Sequence, residues 1–412
     1  MKSILFAAPR SGSGKTLITC GFLEAVRRRG YHPAAFKCGP DYIDPMFHQY
    51  VLGIPGGNLD SFFADGDTLR YLLGREVLEM KKIPESRIAV LEGVMGFYDG
   101  LGGVSERSSA WEVADLTDTP VILLVDMKGR SLSALASIKG FLDYKEKSHV
   151  TGVVFNRLSP MLYPGLKERA ERELGIRVFG YVPELKNMTL ESRHLGLVMP
   201  EEILGIRERL DLIKEKVRVG INLDGIIEEA GRAAEIEVKL PEAVRQFCNV
   251  DCGTGIKKTV VAVAKDEAFC FYYEDNLDIL RKLGAEIQYF SPIHDRNLPV
   301  ETCAVYLGGG YPELHAKALS ENISMRNAIR QAVMEEMPCI AECGGYLYLK
   351  DSIVDPDGVE WPMAGVLPGS SRDTGKLGRF GYITVTSKKE GLLGPAGTEF
   401  RAHEFHHWDS EE

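Results

Sequence analysis

No two cysteines in this 412-residue chain form a Cys-x-x-Cys pair, although there are eight of them. Without that spacing neither a zinc ribbon nor a disulfide framework is indicated, and most of the thiols are read as small buried apolar residues. Cys248 and Cys252, like Cys339 and Cys343, stand four apart, but no histidines at ligand spacing complete a metal set. No apolar stretch approaches the roughly 20 residues a membrane helix needs, and the N-terminus has no signal-peptide pattern. A cytoplasmic protein with no membrane partner is therefore expected. Positive charge is also scarce: 49 Lys and Arg face 59 Asp and Glu, for a net charge of -10. This balance argues against nucleic acid or an anionic membrane as the main partner, since either would favour a broad basic face, and any anionic substrate must meet positive charge locally. Internal repeats and low-complexity tracts are absent as well.

The hydrophobic content of 44% and charged content of 26% are ordinary for globular folds, and the length suggests two or three domains. Near the start, the apolar run Ile4 to Ala8 leads into Pro9-Arg10-Ser11-Gly12-Ser13-Gly14-Lys15-Thr16. From Leu17 to Arg29, Leu17, Ile18, Phe22, Leu23 and Val26 recur at helical spacing. Strand, loop and helix in that order make a phosphate-binding loop. Gly12 and Gly14 let backbone N–H groups approach phosphate, the helix start adds partial positive charge, and Lys15 adds a full one. Thr16 offers a hydroxyl to a phosphate-bound magnesium ion. Pro9 stands where the full Walker pattern has glycine, so the loop is a variant.

Strand-like runs at Ile88 to Leu91, Val121 to Val125, Val150 to Phe155 and Val178 to Val182 alternate with helix-like segments, which favours a helix-covered parallel sheet. Carboxylates fall where strand ends line a ligand crevice. Glu92 closes one strand, Asp99 follows in a Gly-rich turn, and Asp41 or Asp44 joins from Lys37 to Pro45. Turn formation would account for any one aspartate, but the group together suits magnesium through hard oxygen ligands. Lys37, Arg157 and Arg193 are candidates for contacting substrate carboxylates. The alternation fades around Pro241 to Lys258 and restarts at Val260 to Ala264, with strands expected at Glu286 to Phe290, Ala304 to Leu307, Pro338 to Ala341 and Tyr382 to Thr386.

In this second half Cys343 follows a strand and precedes Gly344 and Gly345, the pattern of a turn that exposes sulfur at a helix start. Upstream, Gly308-Gly309-Gly310 offers backbone donors for an oxyanion. His406 or His403 supplies a base, as a Cys-His acyl-transfer site requires.

Across essentially its whole length the chain resembles the cobyrinic acid a,c-diamide synthase family, glutamine-dependent amidotransferases of corrinoid biosynthesis. The matching segments are Ser11 to Thr16, Phe36 to His48, Asn58 to Asp60, Leu91 to Gly100, Glu191 to Leu197, Asp266 to Tyr273, Gly308 to His315, the surroundings of Cys343, and His403 to His406. The resemblance implies an α/β protein with a dethiobiotin-synthetase-like P-loop domain over 1–235, a linker over 236–257 and a class I glutamine amidotransferase domain over 258–412. It implies ATP and magnesium as cofactors, with cobyrinic acid and L-glutamine as partners; homo-oligomer formation stays open. Carried over residue by residue, Ser11, Gly12, Ser13, Gly14, Lys15 and Thr16 bind ATP, and Thr16, Asp41 and Glu92 hold the metal. Cys343 becomes the nucleophile and His406 its base, with Gly309, Gly310 and Gly344 as oxyanion donors. Asp99, Arg193 and His194 fall on the substrate side. Relatives generally continue beyond the histidine motif, so a truncated end at Glu412 is expected.

Two alternatives remain within the same chemistry, hydrogenobyrinic acid and nickel sirohydrochlorin as substrate. A third, of another class, is a non-catalytic nucleotide-dependent regulator or corrinoid-binding protein, which would leave Cys343 and His406 without a purpose.

Overall fold

β1 (Lys2–Ala7) is buried along almost its whole length, the signature of a central parallel strand covered on both faces. The computed structural model describes residues 2–79, 84–184, 192–193, 196–197, 206–236, 238–242, 245, 259–376 and 379–410. The chain divides into two units, Met1–Pro241 and Glu242–Glu412.

In the first unit β1 is joined by β2 (His32–Cys38), β3 (Gly56–Leu59), β4 (Arg87–Glu92), β5 (Val121–Asp126), β6 (Val150–Asn156) and β7 (Arg177–Val182). Their order is β3-β2-β4-β1-β5-β6-β7, with every pairing parallel. Side chains alternate between two cores. Leu5, Ala7, Ala89, Leu91, Leu123 and Val125 face one; Ile4, Phe6, Ile88, Val90, Ile122 and Leu124 face the other. The helices α1 (Lys15–Arg28), α2 (Ile43–Met46), α3 (Gly66–Glu79), α4 (Ala110–Thr117), α5 (Ser133–Asp143), α6 (Tyr163–Leu174), α7 (Ile206–Gly220) and α8 (Leu223–Ala230) complete this unit with the short hairpin β8 (Ser192–Arg193) and β9 (Gly196–Leu197). α1 packs on α7 so closely that a methyl group on Gly21 would lie 2.8 Å from Val217.

The four strands expected here are present, each reaching a residue or so further than the apolar run. β2 and β3 were not legible as strands: one carries Pro33 and Lys37, and the other is the polar Gly-Gly-Asn-Leu. Of the stretch expected as a linker, Ile236 packs against the core of the first unit, and Val238 lies against Gly74 of α3.

In the second unit β10 (Thr259–Ala264), β11 (Ala285–Phe290), β12 (Thr302–Leu307) and β13 (Cys339–Ala341) form a parallel sheet in the order β11-β10-β12-β13. Its helices are α9 (Glu274–Lys282), α10 (Ala316–Glu321), α11 (Ile323–Met334) and α12 (Gly344–Leu349). A separate sheet combines β14 (Lys350–Val354), β15 (Glu360–Pro362), β16 (Leu367–Asp373) and, after the ribbon β17 (Arg379–Thr386) and β18 (Glu399–His406), β19 (Trp408–Ser410). The run Tyr382 to Thr386 thus belongs to an antiparallel ribbon rather than to the parallel series. Among the described residues no helix is long and apolar enough to cross a membrane.

Candidate active sites

The first site forms where β2, β4 and β1 end side by side. Register places Phe6 opposite Glu92 and Glu92 opposite Lys37, so the phosphate loop, a carboxylate and an ammonium emerge from one row. The loop turns through Gly12 and Gly14, at φ 70° and 85°, and opens α1, whose first turn has neither a side-chain cap nor an acidic residue. Its N–H groups therefore point at an electropositive opening.

The loop is held from the other side by the ends of β5 and β6. Asn156 Nδ2 donates to the Ser13 carbonyl at 2.8 Å. Arg157 Nε donates to Asp126 at 2.7 Å and its Nη2 to the Gly12 carbonyl at 3.1 Å. Arg10 also reaches Asp126, at 3.0 Å. Arg157, a candidate for substrate contact in the sequence, is thus occupied in clamping the loop. Beside it opens a cavity of about 610 Å³ lined by Met127, Arg130, Arg157, Leu158, Pro160 and Pro183 among others.

Lys15 Nζ donates to the Met95 carbonyl at 2.6 Å. Burial, with the neighbouring Lys37 charge, lowers its pKa to about 8. Thr16 Oγ1 lies 2.6 Å from Glu92 Oε1 and 3.3 Å from both Asp44 oxygens. Lys37 Nζ meets Asp44 directly and Glu92 at 3.1 Å; Lys37, Asp44 and Glu92 are all buried. Burial alone would neutralise Lys37, but the two carboxylates outweigh it and raise its pKa. Burial, then the Glu92 charge, raises Asp44, whereas Glu92 is held low, Lys37 and His48 overcoming the burial cost. His48 Nε2 lies 3.4 Å from Glu92 Oε2.

The resemblance places Asp41 in the metal set, but it is Asp44, the other aspartate the sequence offered, that faces Thr16. Asp41 Oδ1 instead accepts from the Ile43 and Asp44 N–H groups at 2.8 and 3.3 Å, while its Oδ2 is 3.9 Å from Lys37. The Asp99 carboxylate accepts from Gly96 N–H at 2.9 Å, closing its own turn. The Arg193 side chain and all of His194 lie outside the described residues.

The second site is built on the end of β13. Cys343 sits at φ 47°, ψ -109°, between the strand and α12, a strained corner for a non-glycine residue. Neighbouring glycines make it possible: a Cβ on Gly345 would lie 2.2 Å from the Leu307 carbonyl, and one on Gly310 2.1 Å from that of Ala268. Gly309 comes within 3.5 Å of the Cys343 Cβ on the same measure. Gly309 pairs with Phe271 in an antiparallel bridge, and its carbonyl accepts from the Cys270 and Phe271 N–H groups, each at 3.0 Å. Cys343 reaches solvent, yet burial of the thiol, then the Glu313 carboxyl, push its pKa up to about 11.

His406 Nδ1 lies 2.8 Å from the Trp408 carbonyl. A carbonyl only accepts, so Nδ1 carries the proton and Nε2 is left as an acceptor. His403 packs edge-to-face on Phe380 and Tyr382 and at a tilt to Phe405, where burial lowers its pKa. β19 is joined to α12, the helix after Cys343, through Tyr346 Oη and Ser410 Oγ, 3.2 Å apart.

Both halves match known families. Residues 4–198 match the CobQ/CobB/MinD/ParA nucleotide binding domain, and residues 260–411 the CobB/CobQ-like glutamine amidotransferase domain. A cobyrinate a,c-diamide synthase of Listeria innocua is 40% identical over 99% of this chain and 87% of its own length. One from Thermoplasma volcanium is 37% identical over 98% and 85%. The chain belongs to the cobyrinate a,c-diamide synthase family. As in that family, a nucleotide-binding domain precedes a glutamine amidotransferase domain.

Sequence reasoning missed Asp126, Asn156, His48 and Glu313 in this member of the family. Asp126 and Asn156 close strands on the same row, a position the strand pattern could have singled out. Nothing in the sequence shows that His48 folds back onto the Glu92 carboxylate or that the Glu313 charge acts on the Cys343 thiol.

Proposed function

We propose that the protein is an ATP-dependent, glutamine-hydrolysing ligase that converts the a and c acetate carboxylates of cobyrinic acid into amides. The observation that carries this reading is the presence in one chain of a phosphate loop whose Thr16 hydroxyl meets Glu92 and an elbow that presents Cys343.

A carboxylate is inert toward ammonia until one of its oxygens becomes a leaving group. In the first unit the loop N–H groups of Ser11 to Gly14 and the Lys15 ammonium hold the triphosphate, and an acetate oxygen attacks its terminal phosphorus to give an acyl phosphate and ADP. Ammonia then takes the acyl carbon and phosphate departs. Thr16, Asp44 and Glu92 supply hard oxygen donors, and among the described residues Glu92 Oε2 accepts no hydrogen bond, His48 Nε2 standing 3.4 Å away, a set that would suit a magnesium ion. Bound there, magnesium would neutralise charge developing on the transferred group. Asp41 supports this set by capping the segment that carries Asp44. Asp99, Arg193 and His194 are assigned to the corrinoid side, and the cavity beside Arg157 to the nucleoside.

In the second unit the Cys343 sulfur attacks the glutamine amide carbon. His406 Nε2 takes the thiol proton and returns it to the leaving ammonia, its orientation set by the Trp408 carbonyl in the role a carboxylate often fills. The N–H groups of Gly309, Gly310 and Gly344 receive the oxyanion. Water then releases glutamate from the thioester.

Product masses from cobyrinic acid, hydrogenobyrinic acid and nickel sirohydrochlorin, each with ATP, magnesium and glutamine, test the assignment. Two carboxyl-to-amide conversions on cobyrinic acid, in preference to the others, are expected. Preference for another macrocycle would overturn the choice of substrate.

A further inference from the structure

Glu313 follows the Gly308 to Gly310 loop, in the short helical turn Pro312–His315, and is only 5% exposed. The turn packs on the elbow, since a Cβ on Gly344 would lie 2.8 Å from Cδ of Pro312, the residue before Glu313, and the Glu313 carboxyl is the leading charge acting on the Cys343 thiol. Among the described residues no lysine, arginine or histidine forms an ion pair with it; its carboxyl meets its own N–H, and the charge that acts on it is another carboxylate, Asp373. Burial pushes its pKa up to about 7. A buried acid with no cation costs stability, and an apolar side chain would fill the same space at less expense. Such a group beside a nucleophile marks a place where a cation arrives with the substrate.

Free glutamine brings one. Its α-ammonium stands a short carbon chain from the amide carbon that Cys343 attacks. We propose that Glu313 is the receptor for the α-ammonium of glutamine, the group by which the second site takes the free amino acid rather than a simple amide. This deepens the glutaminase reading above and rests on it. When the ammonium docks, the carboxylate gains the partner that the fold withholds. The pair forms beside the elbow, so docking also fixes the amide against the sulfur.

The test uses the full-length protein and two substrates: L-glutamine and glutaramate, which is glutamine without its α-amino group. Ammonia release gives KM and kcat for wild type, Glu313→Gln and Glu313→Asp. Loss of a charge-assisted hydrogen bond should raise the glutamine KM of Glu313→Gln by roughly 10- to 100-fold while leaving glutaramate nearly unchanged. Glu313→Asp, which keeps the charge, should recover part of the difference. Wild type alone gives a second reading. The ionisable groups facing Glu313 are Cys343 and Asp373. Because only the carboxylate pairs with ammonium, the glutamine KM should rise as pH falls below about 7, and the glutaramate KM should not. Equal losses on both substrates, or parallel pH profiles, would overturn the assignment alone. Absence of Cys343-dependent ammonia release from glutamine in wild type would overturn the glutaminase reading with it.

Discussion

Gly14 leaves no room for a methyl group. At φ 85° a side chain is strained, and its Cβ would lie 2.5 Å from Asn156 Nδ2, the atom that holds the Ser13 carbonyl. Gly14→Ala should destabilise the loop by about 1–3 kcal/mol and weaken ATP binding in isothermal titration. An unchanged dissociation constant would detach the loop from nucleotide. Lys37 is bound by a different constraint: it is the cation between Asp44 and Glu92. Lys37→Met would leave two carboxylates buried together and should cost about 3–5 kcal/mol in urea unfolding. An exposed lysine contacting only substrate would cost almost nothing. Here the limits of the sequence are visible. Gly14, Lys15 and Thr16 could be read from their spacing because the loop's chemistry is local. The choice between Asp41 and Asp44 could not, because it depends on which carboxylate the turn after β2 directs toward Thr16.

At the scale of elements, the two strand-turn-helix units that carry chemistry were the most legible parts of the chain. In each, an apolar run stops at glycines and a helix begins. β14 to β19 were largely hidden, since their half-exposed strands mix glycine, charge and short apolar runs. Yet His406, the last residue of β18, is held by β19, whose Trp408 carbonyl meets its Nδ1. Trp408 anchors this strand through Nε1 to the Val354 carbonyl at 2.9 Å, and its own carbonyl sets the His406 tautomer. Trp408→Phe keeps the buried ring but loses that bond. The expected outcome is a glutamine-dependent kcat lowered by about 3- to 10-fold, the ammonium-dependent rate being unchanged. Equal falls in both rates would show that β19 supports the unit as a whole rather than the orientation of His406.

At the scale of the whole molecule, two parallel-sheet units each place their chemistry at the carboxyl ends of strands, where loops converge without interrupting the sheet. The resemblance carried by short motifs in the sequence reached the family, and several of those motifs, Ser11 to Thr16, Leu91 to Gly100 and the surroundings of Cys343, lie where strands end in the two units. The central claim is a division of labour, glutamine hydrolysis at Cys343 and carboxylate activation around Thr16 and Glu92. Amidation by Cys343→Ala, measured as product mass with ATP and cobyrinic acid, tests it most directly. With glutamine as nitrogen source the mutant should make no diamide, and with ammonium it should make diamide at the wild-type ammonium rate. Failure with both sources, or full activity with glutamine, would contradict the account.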